Sequence, residues 1–288
     1  MDVSVGPDGA IYLADWFNPV IGHYQASYAD PRRDRRHGRI WRITAKGYTP
    51  VKQPNLAAMK PTELLEQLRS PERWTRYQAK RLLFDTPTAD ALKAADALVA
   101  GLDLSKAENE HLLMEVCGVY EAHESPSLEV LQKLAAAQDS RVRAYGARVL
   151  AAWQDRLPEC LALLKKAASD TNPRVRLEAV VAASYFQQPA AVEAAMQVLD
   201  QPRDKFLDYA LKQSVRGLKP VWKPALAAGQ LTFGGSATQV AYVRDLANQG
   251  ATVEHPGKTI YDASALIATN QRAKACPASI PLWRGVSG

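Results

Sequence analysis

Two hydrophobic rhythms divide the chain. In "VSVGPDGAIYLAD" (residues 3–15) and "RIWRI" (39–43) apolar and polar residues largely alternate, with Pro7-Asp8-Gly9 supplying a turn. Period two predicts strands near 3–6, 10–15 and 39–43. From about residue 60 the apolar spacing changes to three and four, and helix is predicted upon helix. The expected fold class is mainly α, a helical solenoid with a small N-terminal β element. A lone two-stranded hairpin is marginal in water, so the front strands call for something to pack against.

The helical part repeats itself. "DSRVRAYGARVLAAW" (139–153) aligns with "NPRVRLEAVVAASYF" (172–186), matching Arg141 to Arg174, Val142 to Val175 and Arg143 to Arg176. A shift of two repeats back lands on "SPERWTRYQAKRLLF" (70–84), where Trp74, Tyr77 and Leu82 take the places of Val142, Tyr145 and Leu150. Another copy follows in "PRDKFLDYALKQSVRGL" (202–218), and a fainter one begins near Glu108. Self-similarity at this period marks stacked helix pairs, each covering its neighbour's apolar face. Ser70-Pro71, Ser125-Pro126 and Asn172-Pro173 place a capping side chain before a proline at a helix start. The Pro/Asp-x-x-Val-Arg pattern resembles HEAT repeats. That resemblance implies about five right-handed helix pairs whose Arg141, Arg143, Arg174 and Arg176 form stabilising ion pairs.

Charge adds one feature. The net charge is +6 over 288 residues, but "DPRRDRRHGRIWRITAK" (30–46) alone has seven Lys/Arg against two Asp. Residues 60–225 carry 23 basic and 22 acidic side chains, which argues against a nucleic-acid groove along the repeats. No apolar run reaches spanning length, and no secretory signal is present as written. Cys117, Cys160 and Cys276 form no C-x-x-C and no Cys/His cluster. Core thiols are expected at the first two positions, with a Cys117–Cys160 disulfide left open. Signatures of serine hydrolases, zinc proteases, P-loops and dinucleotide folds are lacking. His111 is expected in the core and His123 at a helix end.

The front segment resembles something more specific. "VGPDGAIYLADW", "NPVIGHYQ", "DPRRD" and "HGRIWRIT" look like the last β-propeller blade of membrane-bound dehydrogenases of the PVC type. In that family a propeller related to sugar dehydrogenases precedes a HEAT-like segment and a c-type haem domain. The resemblance extends in order through residues 60–235, including "LKPVWKPALAAGQLTFGG". It implies that residues 1–50 are a partial blade whose neighbours lie in a longer protein, with Met1 an internal methionine. The alternative is that the strands fold back on the first helices. By the same resemblance, partners are the propeller and haem domains of the parent, localisation is periplasmic or exported, and haem c belongs only to intact relatives. This chain itself is expected to hold no cofactor and to be inactive alone.

One loop crowds polar residues. Asp15, Asn18, His23, Asp30, Arg32, Arg33, Asp34, His37 and Arg39 fall within a short stretch. As a ligand site, the carboxylates and histidines would meet a sugar or cofactor while the arginines clamp an anion. As structure, Asp30-Pro31 and Asp34 make turns and Arg–Asp pairs pin the loop. Both readings stay open. Trp16, Phe17, Tyr24 and Trp41 are expected to pack the junction between blade and repeats. No catalytic residue and no metal ligand is assigned.

The far end completes the map. Residues 60–228 are the helical repeats, 229–264 a linker and the start of a haem-like domain, and 265–288 a disordered tail. "HPGKTIYDAS" resembles the opening of a c-type haem domain, yet no haem motif follows. With each codon boundary moved one nucleotide earlier after Ser264, the tail can encode Cys-Ala-Tyr-Cys-His and a Gly/Pro-rich loop. A frameshift is therefore expected. The function that follows is a structural scaffold spacing a propeller-borne oxidation site from a haem acceptor. Its rivals are a free-standing module binding a protein on a concave face and, with less support, a nucleic-acid-binding HEAT-like protein.

Overall fold

Asp8 organises the front of the chain. β1 (Asp2–Val5), β2 (Ile11–Asp15) and β3 (Arg39–Ile43) form an antiparallel sheet in that order. The turn between β1 and β2 closes through Gly6 N–H to Ala10 O (2.8 Å) and Gly9 N–H to Gly6 O (3.0 Å). Gly9 has φ +82°, and a Cβ there would meet the Tyr48 hydroxyl at 2.5 Å, so the position admits only glycine without strain. The Asp8 carboxylate accepts from Ala10 N–H and from Arg42 Nε (2.7 Å) on β3. Its backbone carbonyl accepts from the Tyr48 hydroxyl and from Val51 N–H. One residue thus ties both hairpin strands to β3 and to the segment that leaves it. The computed structural model describes residues 2–15, 17, 20 and 30–248, and these divide into two units at Val130/Leu131.

In the first unit, α1 (Pro61–Glu66) pairs with α2 (Arg73–Asp85), and α3 (Thr88–Ala100) with α4 (Ala107–Ala122). α1 packs on α3 and α2 on α4, giving two layers. Thr75, Ala79 and Leu83 form the buried stripe of α2, at the i, i+4 spacing of an amphipathic helix. The second unit begins within α5 (Leu128–Ala136). It stacks α6 (Ser140–Trp153), α8 (Pro173–Ala183) and α10 (Lys205–Gly217) in one layer against α7 (Cys160–Ala168), α9 (Pro189–Met196) and α11 (Lys219–Ala227) in the other. Gly146 lets α6 approach α5, since a Cβ there would sit 2.9 Å from the Leu134 Cβ. Asn172 and Asp204 cap α8 and α10 by accepting backbone N–H groups of the first turn. The chain is mainly α with a small N-terminal sheet, as its rhythm predicts.

One position recurs in four of the repeats. Arg143 donates to the carbonyls of Ala137 and Gln138 behind it and, through Nε and Nη2, to Asp170 ahead (2.7 and 3.0 Å). Arg176 holds Asp170 O and Thr171 O and reaches Pro202 O. In the first unit, Arg76 holds Ser70 O and Pro71 O and reaches Glu115. Asn109 stands in the same place, donating to Asp103 O six residues back and accepting from Arg69. Each side chain staples its own interhelix turn to the neighbouring repeat, satisfying carbonyls that the turn leaves orphaned.

The structure revises several expectations. Arg76 aligns with Arg143, so the copy at 70–84 is one residue out of register with the sequence alignment; Thr75 and Leu83 are buried, whereas Tyr77 is exposed and Trp74 and Leu82 half-buried. The Ser70 and Ser127 hydroxyls accept from Glu72 and Val130 N–H, so α2 and α5 begin two residues past the predicted proline starts. Arg176 pairs with carbonyls rather than an acid. His111 is exposed, with Nε2 3.6 Å from Glu115. Residues 231–248 are not a linker: Leu231, Phe233, Val243 and Leu246 are buried, and α12 (Ala237–Asn248) is held by Lys219 Nζ at its last carbonyls. The segment expected to open a haem-like domain, the tail expected to be out of frame and Cys276 lie outside the described residues. Cys117 and Cys160 are free and buried. Burial, with Glu121 nearby, raises the Cys117 thiol; burial, with Glu159 and Asp155 nearby, raises the Cys160 thiol to about 11.

Candidate functional site

The basic loop resolves into local pairs. Asp30 accepts from Arg32 N–H, Nε and Nη2 at 2.9, 3.1 and 2.8 Å, and this guanidinium lowers its carboxyl to about 2. Asp34 accepts from Arg36 and His37 N–H and faces the His37 ring (Nδ1–Oδ2 2.9 Å). Those contacts, led by the Arg36 N–H, keep its carboxyl below the ordinary range. Arg33 donates to Val20 O. At the sheet end, Asp15 accepts from Trp41 Nε1 (3.1 Å), and Arg39 lies 3.5 Å from the Phe17 ring centroid and 5.8 Å from that of Trp41. Each acid is met by a neighbour in its own turn or on the adjoining strand. His23, Asn18, Trp16 and Tyr24 lie outside the described residues.

The same sheet offers a surface that the spacing of charges does not reveal. Strand register sets Val3 beside Leu13 and Leu13 beside Trp41, then Val5 beside Ile11 and Ile11 beside Ile43. Alternation along a strand puts all six on one face. Five of them are 42–61% exposed, and Leu13 is half-buried. Such cross-strand apolar rows stabilise a sheet most when another layer covers them.

A second surface lies in the helical layer α6, α8 and α10. On α10, Leu207, Leu211 and Val215 face the core, while Phe206 and Tyr209 are 63% and 67% exposed. On neighbouring α8 Val181 is 41% exposed, and Tyr185, in the turn just past that helix, is 49% exposed. Lys205 stands 5.1 Å from the Phe206 ring and Arg148 5.5 Å from that of Tyr145. The signal was present in the sequence: Phe206 and Tyr209 are large apolar residues out of phase with their helix's buried stripe.

A polar groove of about 490 Å³ opens among Lys165, Gln197, Phe233 and Ser236. Its carboxylates are engaged, Glu193 by the Thr232 and Phe233 N–H groups and Asp200 by Gln239. The 3₁₀ turn at 233–235 runs through positive φ, Phe233 included, and Glu193 holds it. Among the described residues, no group of three His, Cys, Asp or Glu side chains is placed to hold a metal, and no helix is long and apolar enough to cross a membrane.

The comparisons with known proteins follow this division. Residues 127–216 match the model of HEAT repeats, and residues 1–47 match a domain of unknown function, DUF7133. No curated protein matches the chain. The crystal structure of an engineered protein is similar at 18% identity and a TM-score of 0.35, covering 64% of this chain and 93% of that one. The chain thus carries a HEAT-like segment at 127–216 within its helical repeats, and a front segment with its own match.

Proposed function

We propose that the chain is a junction scaffold: its sheet docks against further β-structure, and its repeats hold that assembly at a set distance from a second domain. The observation that carries this reading is the open apolar face of Val3, Val5, Ile11, Leu13, Trp41 and Ile43. A sheet with one open apolar face, whose two edges have no strand partner among the described residues, is completed by another sheet, as in propeller blades or sandwiches. In its specific form, the covering sheets are a propeller of the sugar-dehydrogenase type and the second domain carries haem c, with this segment passing no electrons itself. Resemblance supports that form, and the DNA flanking the coding region tests it. Upstream codons for more blades and a Cys-x-x-Cys-His in an adjacent frame are expected; non-coding flanks would exclude it.

The docking itself is tested on the purified chain. Wild type should bind a hydrophobic dye and self-associate, and a Val5→Thr/Ile11→Thr/Ile43→Thr variant should do both severalfold less while keeping its helical melting transition. A monomeric, dye-silent wild type would overturn the reading.

A second reading has its own observation. The exposed Val181, Tyr185, Phe206 and Tyr209 in the α6, α8, α10 layer favour a protein-binding module. The two readings are compatible, since one uses the sheet and the other the helical layer.

A further inference from the structure

We infer that the α6, α8, α10 layer of the second unit docks an acidic protein segment through aliphatic or aromatic anchors. The inference deepens the protein-binding reading above and rests on it.

Charge is where the layer stands out. Averaged over residues 60–225 the repeats are almost neutral, but that average conceals an asymmetry. The three helices of this layer hold eight basic residues and two acidic ones, Glu178 and Asp208. Half of those cations serve the fold: Arg143 and Arg176 staple repeats, Arg141 pairs with Asp139, and Arg174 lies 3.9 Å from Glu178. Of the other four, Arg216 is half-buried and Arg148, Lys205 and Lys212 are exposed, Lys205 beside Phe206 and Arg148 beside Tyr145.

The apolar groups choose between partners. Phosphate tracking along nucleic acid uses six to ten cations in a row, and affinity falls steeply when few are present. Here Lys205 and Lys212 share α10 with the exposed Phe206 and Tyr209, and Val181 on α8 and Tyr185 just past it add two more exposed apolar side chains. Large apolar groups exposed on a helical layer whose cations outnumber its acids eight to two suit a protein segment of net negative charge. Tyrosine and phenylalanine supply contact area at low entropic cost, and the cations of the layer select for acid and speed encounter. A segment alternating Asp or Glu with Leu or Phe satisfies both requirements.

The experiment uses the full chain and three fluorescent probes: a 20-residue peptide alternating acidic residues with Leu and Phe, its counterpart with Lys for every acid, and a 20-nucleotide oligo-dT. The acidic peptide is expected to bind at least tenfold tighter than either other probe and to weaken severalfold between 50 and 300 mM salt. Phe206→Ala/Tyr209→Ala and Lys205→Glu/Lys212→Glu should each lower its affinity at least tenfold without moving the melting temperature. Equal binding of the two peptides, preference for oligo-dT, or indifference to the aromatic pair would each overturn the inference. The sheet-face variant reads self-association and leaves these helices untouched, so failure of the junction reading is seen separately. Failure of protein binding altogether shows as no peptide bound, whereas failure of the acid preference alone shows as both bound.

Discussion

The sheet and the helical repeats solve the same problem in opposite ways. Every helix pair has an apolar stripe, and in each unit the neighbouring pair covers it: Trp153, Leu164, Phe186, Val215 and Trp222 are at most 1% exposed. The sheet, built from equally apolar residues, leaves Val3 and Ile43 at 61% and 50%. Polar groups follow suit. In the repeats, long-range staples such as Arg143–Asp170 join elements 27 residues apart. In the loop before β3, Asp30 and Asp34 pair with residues two or three positions away. The loop closes on itself within a turn, and the sheet keeps an apolar face uncovered although Asp8–Arg42 and Asp15–Trp41 tie it over 34 and 26 residues.

Substitutions sharpen that contrast or break it. Trp153→Ala should have the largest effect, about 3–5 kcal/mol, read as an earlier denaturant midpoint of the helical signal. An unmoved midpoint would mean that the repeat core is not what holds the chain. Arg143→Met should cost about 2–3 kcal/mol at neutral pH, because it strips the guanidinium from Asp170 and from the Ala137 and Gln138 carbonyls in a part-buried site. Desolvation pushes the Asp170 carboxyl up, but Arg143 and the Asn172 N–H outweigh it and hold the group below its ordinary value. That stabilisation is therefore full above the unfolded carboxylate pKa, about 4, and fades as pH falls through the lower folded value. Urea titrations at pH 7 and pH 3 should show the gap between wild type and variant closing in acid. Gly146→Ala should cost about 1–2 kcal/mol by pressing on Leu134, measured by thermal melting. Ile43→Thr should change helical stability by less than about 0.5 kcal/mol while reducing dye binding, a dissociation that the buried positions cannot show. Arg141→Ala comes last: its pair with Asp139 is exposed, and no shift in melting temperature is expected.

Legibility tracked the range of the interaction. Helix spacing, the Asn172-Pro173 cap and the Val-Arg repeat are local signals, and they placed α6, α8 and the strands at 2–5, 11–15 and 39–43 within a residue or two. The register of α2 was lost because Trp74, Tyr77 and Leu82 look like core by size, whereas the buried stripe is carried by Thr75, Ala79 and Leu83. The staple series was half visible. Arg143 and Arg176 stand in matching motifs, but Asn109 substitutes a shorter side chain of another type, and Glu115 is 39 residues from Arg76. Nothing local announces either one. The charge of the helical surface was hidden for a different reason: the balance of 60–225 averages over two layers, and only folding separates the α6, α8, α10 layer from the rest.

The row of staples also has unequal grip. Between α6 and α8 the guanidinium meets a carboxylate, whereas between α8 and α10 Arg176 meets the carbonyl of Pro202 and its buried Nε has no partner. Under tension, the seam between α8 and α10 is the one that parts first, and the final three helices should swing away as a flap while the α6–α8 seam stays shut.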